Sequence, residues 1–290
     1  MLVKILEPLP AIDPDLLDYL QDNGHRVIRY EEDIDPHDVD AIVVRSNVVV
    51  DATLLKKYNT IAYVLRIGVG TDKIDTDLLA ERNIKLINTP GANAQSVASL
   101  ALRGILSLLR NTHKNRNTLD DRYAMMGDDL TGKVIWLVWF GHIAKKLYAL
   151  INAFGDNRFL VYDPYINPDT LTDENIAYVK DKADLFRDSD ILSFHIPLTS
   201  ETKDFLGWED FNVLKDSIKI INTARWGVVN EDDLVRFLST HPDAGAYIDT
   251  WADEPENPSP SLQALDNIII TPHLWAMTQQ SNRNMHRFQL

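Results

Sequence analysis

Lys133-Val134-Ile135-Trp136-Leu137-Val138 runs straight into Trp139-Phe140-Gly141-His142-Ile143-Ala144, and the reading of this stretch decides the fold class. An apolar run too short for a helix reads as a buried strand, and the amphipathic pattern from Ile143 to Phe154 reads as a helix. Strand, tight turn and helix in succession leave unpaired N–H groups at the positive end of a helix dipole, a place for an anion. About twenty residues further, the strand Phe159–Tyr162 ends in Asp163–Pro164, where a dinucleotide fold puts an acid against ribose hydroxyls. On the turn alone, an ordinary strand-to-helix connection is the better reading. Only Gly141 and Ala144 fit the G-x-G-x-x-G/A spacing, and Trp139 stands where the first glycine belongs.

The same alternation continues in both directions. Strands are predicted at Val3–Leu6, Arg26–Tyr30, Ala41–Val44, Tyr63–Arg66, Lys85–Ile87 and Val134–Val138, then at Phe159–Tyr162, Ile191–Phe194, Ile218–Ile221, Ala246–Ile248 and Ile268–Ile270. Helical patterns at Pro14–Asp22, Val97–Arg110, Ile143–Phe154 and Glu231–Ser239 lie between them, with a weaker one after Thr278. Strands alternating with helices predict α/β architecture with parallel sheets. A chain of 290 residues suits two such domains. We place the first at 1–93 plus about 275–290 and the second at 94–274.

Composition narrows the function classes. A formal charge of −14 repels nucleic-acid phosphates and anionic lipid. Zero cysteines exclude disulfides, thiolate nucleophiles and Cys-ligated zinc, and fit a cytoplasmic setting. No signal peptide, transmembrane run or metal-ligand spacing is read, so neither a membrane nor a nucleic-acid partner is expected.

Chemistry gathers at predicted strand ends. Arg225 closes Ile221-Asn222-Thr223-Ala224-Arg225, Asp249 opens Asp249-Thr250-Trp251, and His273 ends Thr271-Pro272-His273. Alone, Arg225 reads as a solvated or salt-bridged side chain, and a lone histidine at a strand end is usually structural. Cation, carboxylate and imidazole beyond three strands of one sheet form a combination that chance seldom supplies, at the edge where open α/β sheets bind ligands.

With these residues the chain resembles the D-isomer-specific 2-hydroxyacid dehydrogenases, of the phosphoglycerate and glycerate dehydrogenase type. The likeness runs from Met1 to about Gln280. It is carried by Arg66-Ile67-Gly68-Val69-Gly70-Thr71-Asp72, Asn88-Thr89-Pro90-Gly91-Ala92-Asn93, Tyr162-Asp163-Pro164-Tyr165, His195-Ile196-Pro197-Leu198-Thr199, Ile221-Asn222-Thr223-Ala224-Arg225, Glu254-Pro255 and Thr271-Pro272-His273. The resemblance implies two Rossmann-like domains, one flavodoxin-like and one NAD-binding. It implies NAD-dependent hydride transfer between a D-2-hydroxy acid and its 2-oxo acid. His273 would be the general acid/base, Glu254 its pKa-raising partner and Arg225 the carboxylate and carbonyl anchor. Arg45, Ser46, Gly68 and Val69 would complete the substrate site. Gly141, His142, Ile143, Asp163, His195, Thr223 and Asp249 match cofactor positions, and a homodimer built by about residues 98–128 is implied.

The chain departs from that pattern at Trp136, Trp139, Trp226 and Trp275, where such enzymes commonly carry glycine; Ser99 replaces a frequent glutamate. The likeness also ends about one helix short of the family's usual return to the first domain. An indole buries roughly 150–250 Å², so Trp139, Trp226 and Trp275 are expected to crowd the groove and weaken NAD binding. Trp136 is expected to overpack a central strand. A catalytically inactive NAD-sensing or scaffold protein on the same fold is the alternative.

Overall fold

Parallel strands covered by helices on both faces are apolar along their whole length rather than alternating. The computed structural model, which describes residues 1–8, 12, 14–114, 119–123, 125–252 and 257–287, has two sheets of this kind. The chain divides into two units, Met1–Asn93 with Ala276–Leu290, and Ala94–Trp275.

The first unit contains β1 (Leu2–Ile5), α1 (Pro14–Asp22), β2 (Arg26–Ile28), β3 (Ala41–Val44), α2 (Ala52–Lys57), β4 (Tyr63–Arg66), α3 (Thr76–Glu81) and β5 (Lys85–Ile87). Its parallel sheet has the order β2-β1-β3-β4-β5, which reverses direction between β1 and β3 as in flavodoxin-like folds. Asp51 and Asp75 cap α2 and α3 by accepting from the amides of Leu54 and Leu78. The C-terminal helix Gln279–Met285 belongs to this unit. Met285 packs into the cluster of Val3, Val43 and Leu65, and its carbonyl accepts from Thr89 Oγ1 at 3.3 Å.

The second unit contains α4 (Ala94–Leu109), β6 (Val134–Val138), α5 (His142–Asn152), β7 (Arg158–Tyr162), β8 (Ile176–Tyr178), α6 (Lys182–Asp188), β9 (Ile191–Phe194), α7 (Trp208–Phe211), β10 (Lys219–Asn222), α8 (Glu231–Thr240), β11 (Gly245–Ile248), α9 (Pro260–Gln263) and β12 (Ile268–Ile270). Its seven strands are all parallel in the order β12-β11-β10-β9-β6-β7-β8, a Rossmann arrangement that switches direction between β6 and β9. Ile135 and Leu137 face one apolar cluster while Trp136 and Val138 face the other, the period of two expected of a strand buried on both sides. β8 was not expected from the sequence; its three residues are half-buried at the sheet edge and too few to show a pattern. Among the described residues, no helix is long and apolar enough to cross a membrane.

At Trp136, where overpacking is expected, the strand keeps its regular pairing, Trp136 opposite Leu160 of β7 and Leu192 of β9. The side chain is fully buried, and Phe186 meets it edge-on with ring centroids 4.7 Å apart. What the indole lacks is a partner for its buried Nε1.

Gly104 lets α4 close on the sheet, because a Cβ there would lie 2.5 Å from Tyr247 Cγ. Alanine in a helix interior normally gains up to about 1 kcal/mol over glycine. Here the collision reverses the sign, and we expect Gly104→Ala to lose about 1–3 kcal/mol in urea denaturation. A gain would mean that Tyr247 steps aside without cost.

Candidate active site

At the carboxyl edge of the seven-stranded sheet, neighbouring strands deliver the predicted groups in spatial order. His273 follows β12, Asp249 β11, Thr223 and Arg225 β10, His195 β9, Gly141 β6 and Asp163 β7. The crevice of an open parallel sheet lies where the order switches, here between the turn after β6 and His195.

The turn is held closed from β7. Trp139 donates its backbone N–H to Tyr162 O at 2.7 Å, and Asp163 accepts from the amides of Phe140 (3.0 Å) and Tyr165 (2.9 Å). Asp163 is only 5% exposed, so the acid expected to face ribose hydroxyls is engaged with the backbone of its own turn. Trp139 has φ +64°, a left-handed conformation that costs a non-glycine residue about 1–2 kcal/mol, and its ring packs edge-on against Tyr165 at 5.2 Å. Gly141 begins α5 without a side-chain cap, and an added Cβ there would meet nothing within 4 Å. His142 is exposed and Ile143 half-buried beside it.

The other two indoles differ in exposure. Trp226 is 40% exposed and lines a small recess with Asn222 and Thr250 at the sheet edge. Trp275 stays at the edge, its ring 5.3 Å from that of His273 and its Nε1 buried without a partner.

Asp249 organises the loop that carries His273. Its fully buried carboxylate accepts from Thr271 Oγ1 at 2.5 Å and from the amides of Leu274 and Trp275, each at 2.8 Å. Its carbonyl takes the His273 amide at 3.0 Å, and His273 sits at φ +54°. Burial pushes the Asp249 carboxyl above the usual carboxylate range, opposed by those three hydrogen bonds and by the charge of His273. Asp249, expected at the cofactor, thus spends its oxygens on the His273 loop. Arg225 is placed by Asn222, whose side chain donates to Arg225 O (2.9 Å) and accepts from the Ala224 amide (3.1 Å). Glu254 lies outside the described residues.

His195 Nε2 lies 3.0 Å from Ser193 Oγ, and burial pulls the imidazole down to about 3 from 6.5. A base whose folded pKa is depressed takes up its proton in the unfolded chain first, so it removes stability as pH falls below 6.5. We expect the melting temperature to decline between pH 6.5 and about 3, and His195→Asn to flatten that decline. Identical slopes for parent and variant would place the acid sensitivity in other groups.

In the first unit, Arg45 is half-buried beside Glu7, which accepts its amide at 3.1 Å; burial lowers the guanidinium pKa and Glu7 opposes the shift. Ser46 is exposed. The buried Arg66 donates to the carbonyls of Gly70 (3.0 Å) and Ile67, and Thr89 N–H reaches Gly68 O at 3.4 Å. Because each trans peptide sets its N–H opposite its C=O, these bonds turn the Gly68 and Val69 amides away from Arg66 and Thr89. Gly68 has φ +123°, which the turn needs and a side chain rarely adopts.

Residues 98–274 match the family described as D-isomer specific 2-hydroxyacid dehydrogenase, NAD binding domain. A hydroxypyruvate reductase of Thermotoga maritima is 34% identical over 254 residues, covering 86% of this chain and 81% of that protein. The chain belongs to the D-isomer specific 2-hydroxyacid dehydrogenase family. A D-3-phosphoglycerate dehydrogenase of Methanocaldococcus jannaschii is 32% identical over 85% of the chain, which spans 47% of that longer protein. Among solved structures, the NAD+-bound 3-phosphoglycerate dehydrogenase of Entamoeba histolytica aligns with a TM-score of 0.81 at 26% identity, covering 99% of this chain and 91% of the other.

The second unit therefore carries the family's NAD-binding domain, and its carboxyl edge carries groups suited to a dinucleotide. Four of the eight buried side-chain atoms without a hydrogen-bond partner among the described residues lie there: His195 Nδ1, Thr223 Oγ1, Thr250 Oγ1 and Trp275 Nε1. Buried polar groups are seldom left unpaired, so their concentration marks a ligand-facing edge. The uncapped start of α5 behind the open Gly141 suits a diphosphate. At the ribose position Asp163 is drawn onto its own turn by two amides, which use two of a carboxylate's about four acceptor sites. A cavity of about 430 Å³ in this unit lies at the opposite edge of the sheet, near Lys114, Lys219 and Asn267. Motif reading missed Asn222 and Thr271, which shape the carboxyl edge of the second unit through hydrogen bonds, and Arg66, which shapes the Gly68 turn of the first; all three stand inside quoted motifs without a role.

Proposed function

We propose that this chain is an NAD-dependent oxidoreductase that interconverts a D-2-hydroxy acid and its 2-oxo acid. The observation that carries the reading is the run of Arg225, Asp249 and His273 beyond three adjacent strands, β10, β11 and β12, of one family-matched domain. When bound, the nicotinamide supplies the hydride. Gly141, His142 and Ile143 would hold the diphosphate, with Thr223 and His195 lining the rest of the edge. Arg225 grips the substrate carboxylate and polarises the C2 carbonyl through charge-assisted hydrogen bonds. His273 gives a proton to the C2 oxygen in reduction and takes it back in oxidation, with Glu254 as its partner. Arg45, Ser46 and the amides of Gly68 and Val69 are the first unit's candidates for holding a substrate carboxylate. A homodimer formed through about residues 98–128 and a cytoplasmic setting complete the reading; analytical ultracentrifugation tests the first.

NAD affinity is lowered in this reading, since Trp139 and the engaged Asp163 alter the diphosphate and ribose positions. NADH oxidation with glyoxylate, hydroxypyruvate and pyruvate tests the activity, and His273→Asn should abolish it. The same two residues favour a second reading, a non-catalytic NAD-sensing or scaffold protein. NADH binding without turnover of any of the three acids would select it.

A further inference from the structure

Tyr247 is fully buried in β11, yet its phenol is not idle. Its oxygen lies 2.9 Å from Thr271 Oγ1 and 3.3 Å from Arg103 Nη1, which reaches it from α4. Thr271 commits its single hydroxyl proton to Asp249 Oδ1 at 2.5 Å. That leaves Thr271 Oγ1 as an acceptor, so Tyr247 must donate to it and accept from Arg103. The hydrogen bonds therefore run one way, from Arg103 through Tyr247 and Thr271 to Asp249. At the far end, Asp249 holds the amides of Leu274 and Trp275 and, through its carbonyl, that of His273.

We infer that Tyr247 is a positioning residue for His273, fixing the catalytic loop from helix α4 through a directed chain of hydrogen bonds. The left-handed backbone of His273 needs such support, since a strained conformation persists only where its surroundings over-determine it. Chained hydrogen bonds also polarise one another, so loss of an inner link weakens the terminal ones. Gly104 serves the same arrangement by letting α4 approach the Tyr247 ring. The inference rests on the reading of His273 as the proton-transferring group, but its structural half is measurable without turnover.

The test is Tyr247→Phe in the full chain, which keeps the ring and removes one hydroxyl. In the unliganded protein, amide hydrogen exchange at His273, Leu274 and Trp275 should quicken about tenfold or more, while Phe159–Val161 in β7 exchange as in the parent. Thr271→Val should do the same, Thr271→Ser should restore protection, and the Tyr247→Phe/Thr271→Val pair should add little to either single change. Where the parent turns over a 2-oxo acid, kcat should drop about tenfold with KM for NADH within twofold. Unchanged exchange at the three loop amides, or equal quickening in β7, overturns the inference, as does a quickened loop with unaltered kcat. A parent without turnover would count against the proposed activity, leaving the exchange result to decide the role of Tyr247.

Discussion

Trp136→Gly is expected to cost about 0.5–5 kcal/mol, centred near 3, and to pull the urea midpoint down accordingly. Removing a fully buried large aromatic typically loses about 3–5 kcal/mol, and glycine in a strand adds about 0.5–1 kcal/mol of backbone entropy. Against this stands the indole Nε1, buried without a partner, whose penalty of about 1–3 kcal/mol disappears with it. Cavity and packing terms win. A domain stable by about 5–15 kcal/mol would lose a large share of its margin. Trp136→Phe separates the two contributions, because it deletes the orphan N–H and keeps a ring against Phe186. It should lie within about 1 kcal/mol of the parent, the deleted penalty offsetting the smaller volume. If Trp136→Gly proves as stable as the parent, the indole is not part of the core that its burial indicates.

Trp139→Gly has the opposite character: little change in stability and a large change in ligand affinity. Glycine relieves the left-handed strain of about 1–2 kcal/mol at φ +64°. It forfeits the edge-on contact with Tyr165, about 0.5–1.5 kcal/mol, and loses more chain entropy on folding. These nearly cancel. With the ring gone from the turn in front of α5, the dissociation constant for NADH in isothermal titration should fall at least tenfold, about 1.4 kcal/mol. An unchanged constant would locate any weakness in Asp163 rather than in the indole.

The architecture was legible because central parallel strands, such as Ala41–Val44, are apolar on both faces and are bounded by polar residues. β8 was not, because an edge strand of three half-buried residues leaves no period to read. The same holds for α2 and α3, six residues each, too short for an amphipathic stripe. At the candidate site, position along the chain was readable and direction was not. Asp163 stands where the motif puts an acid, but its carboxylate faces the amides of Phe140 and Tyr165. Trp226 has the bulk to fill a groove, yet it is left partly exposed. Tyr247 and Arg103 belong to no motif, and only their hydrogen bonds give them a role.

The fit between Gly104 and the Tyr247 ring constrains the order in which this chain can change. A larger residue at 104 becomes tolerable only after 247 has shrunk, whereas a smaller residue at 247 first opens a void that a later gain at 104 can fill. The two positions should therefore show sign epistasis: a Cβ at 104 destabilises beside the tyrosine ring and stabilises once 247 is small.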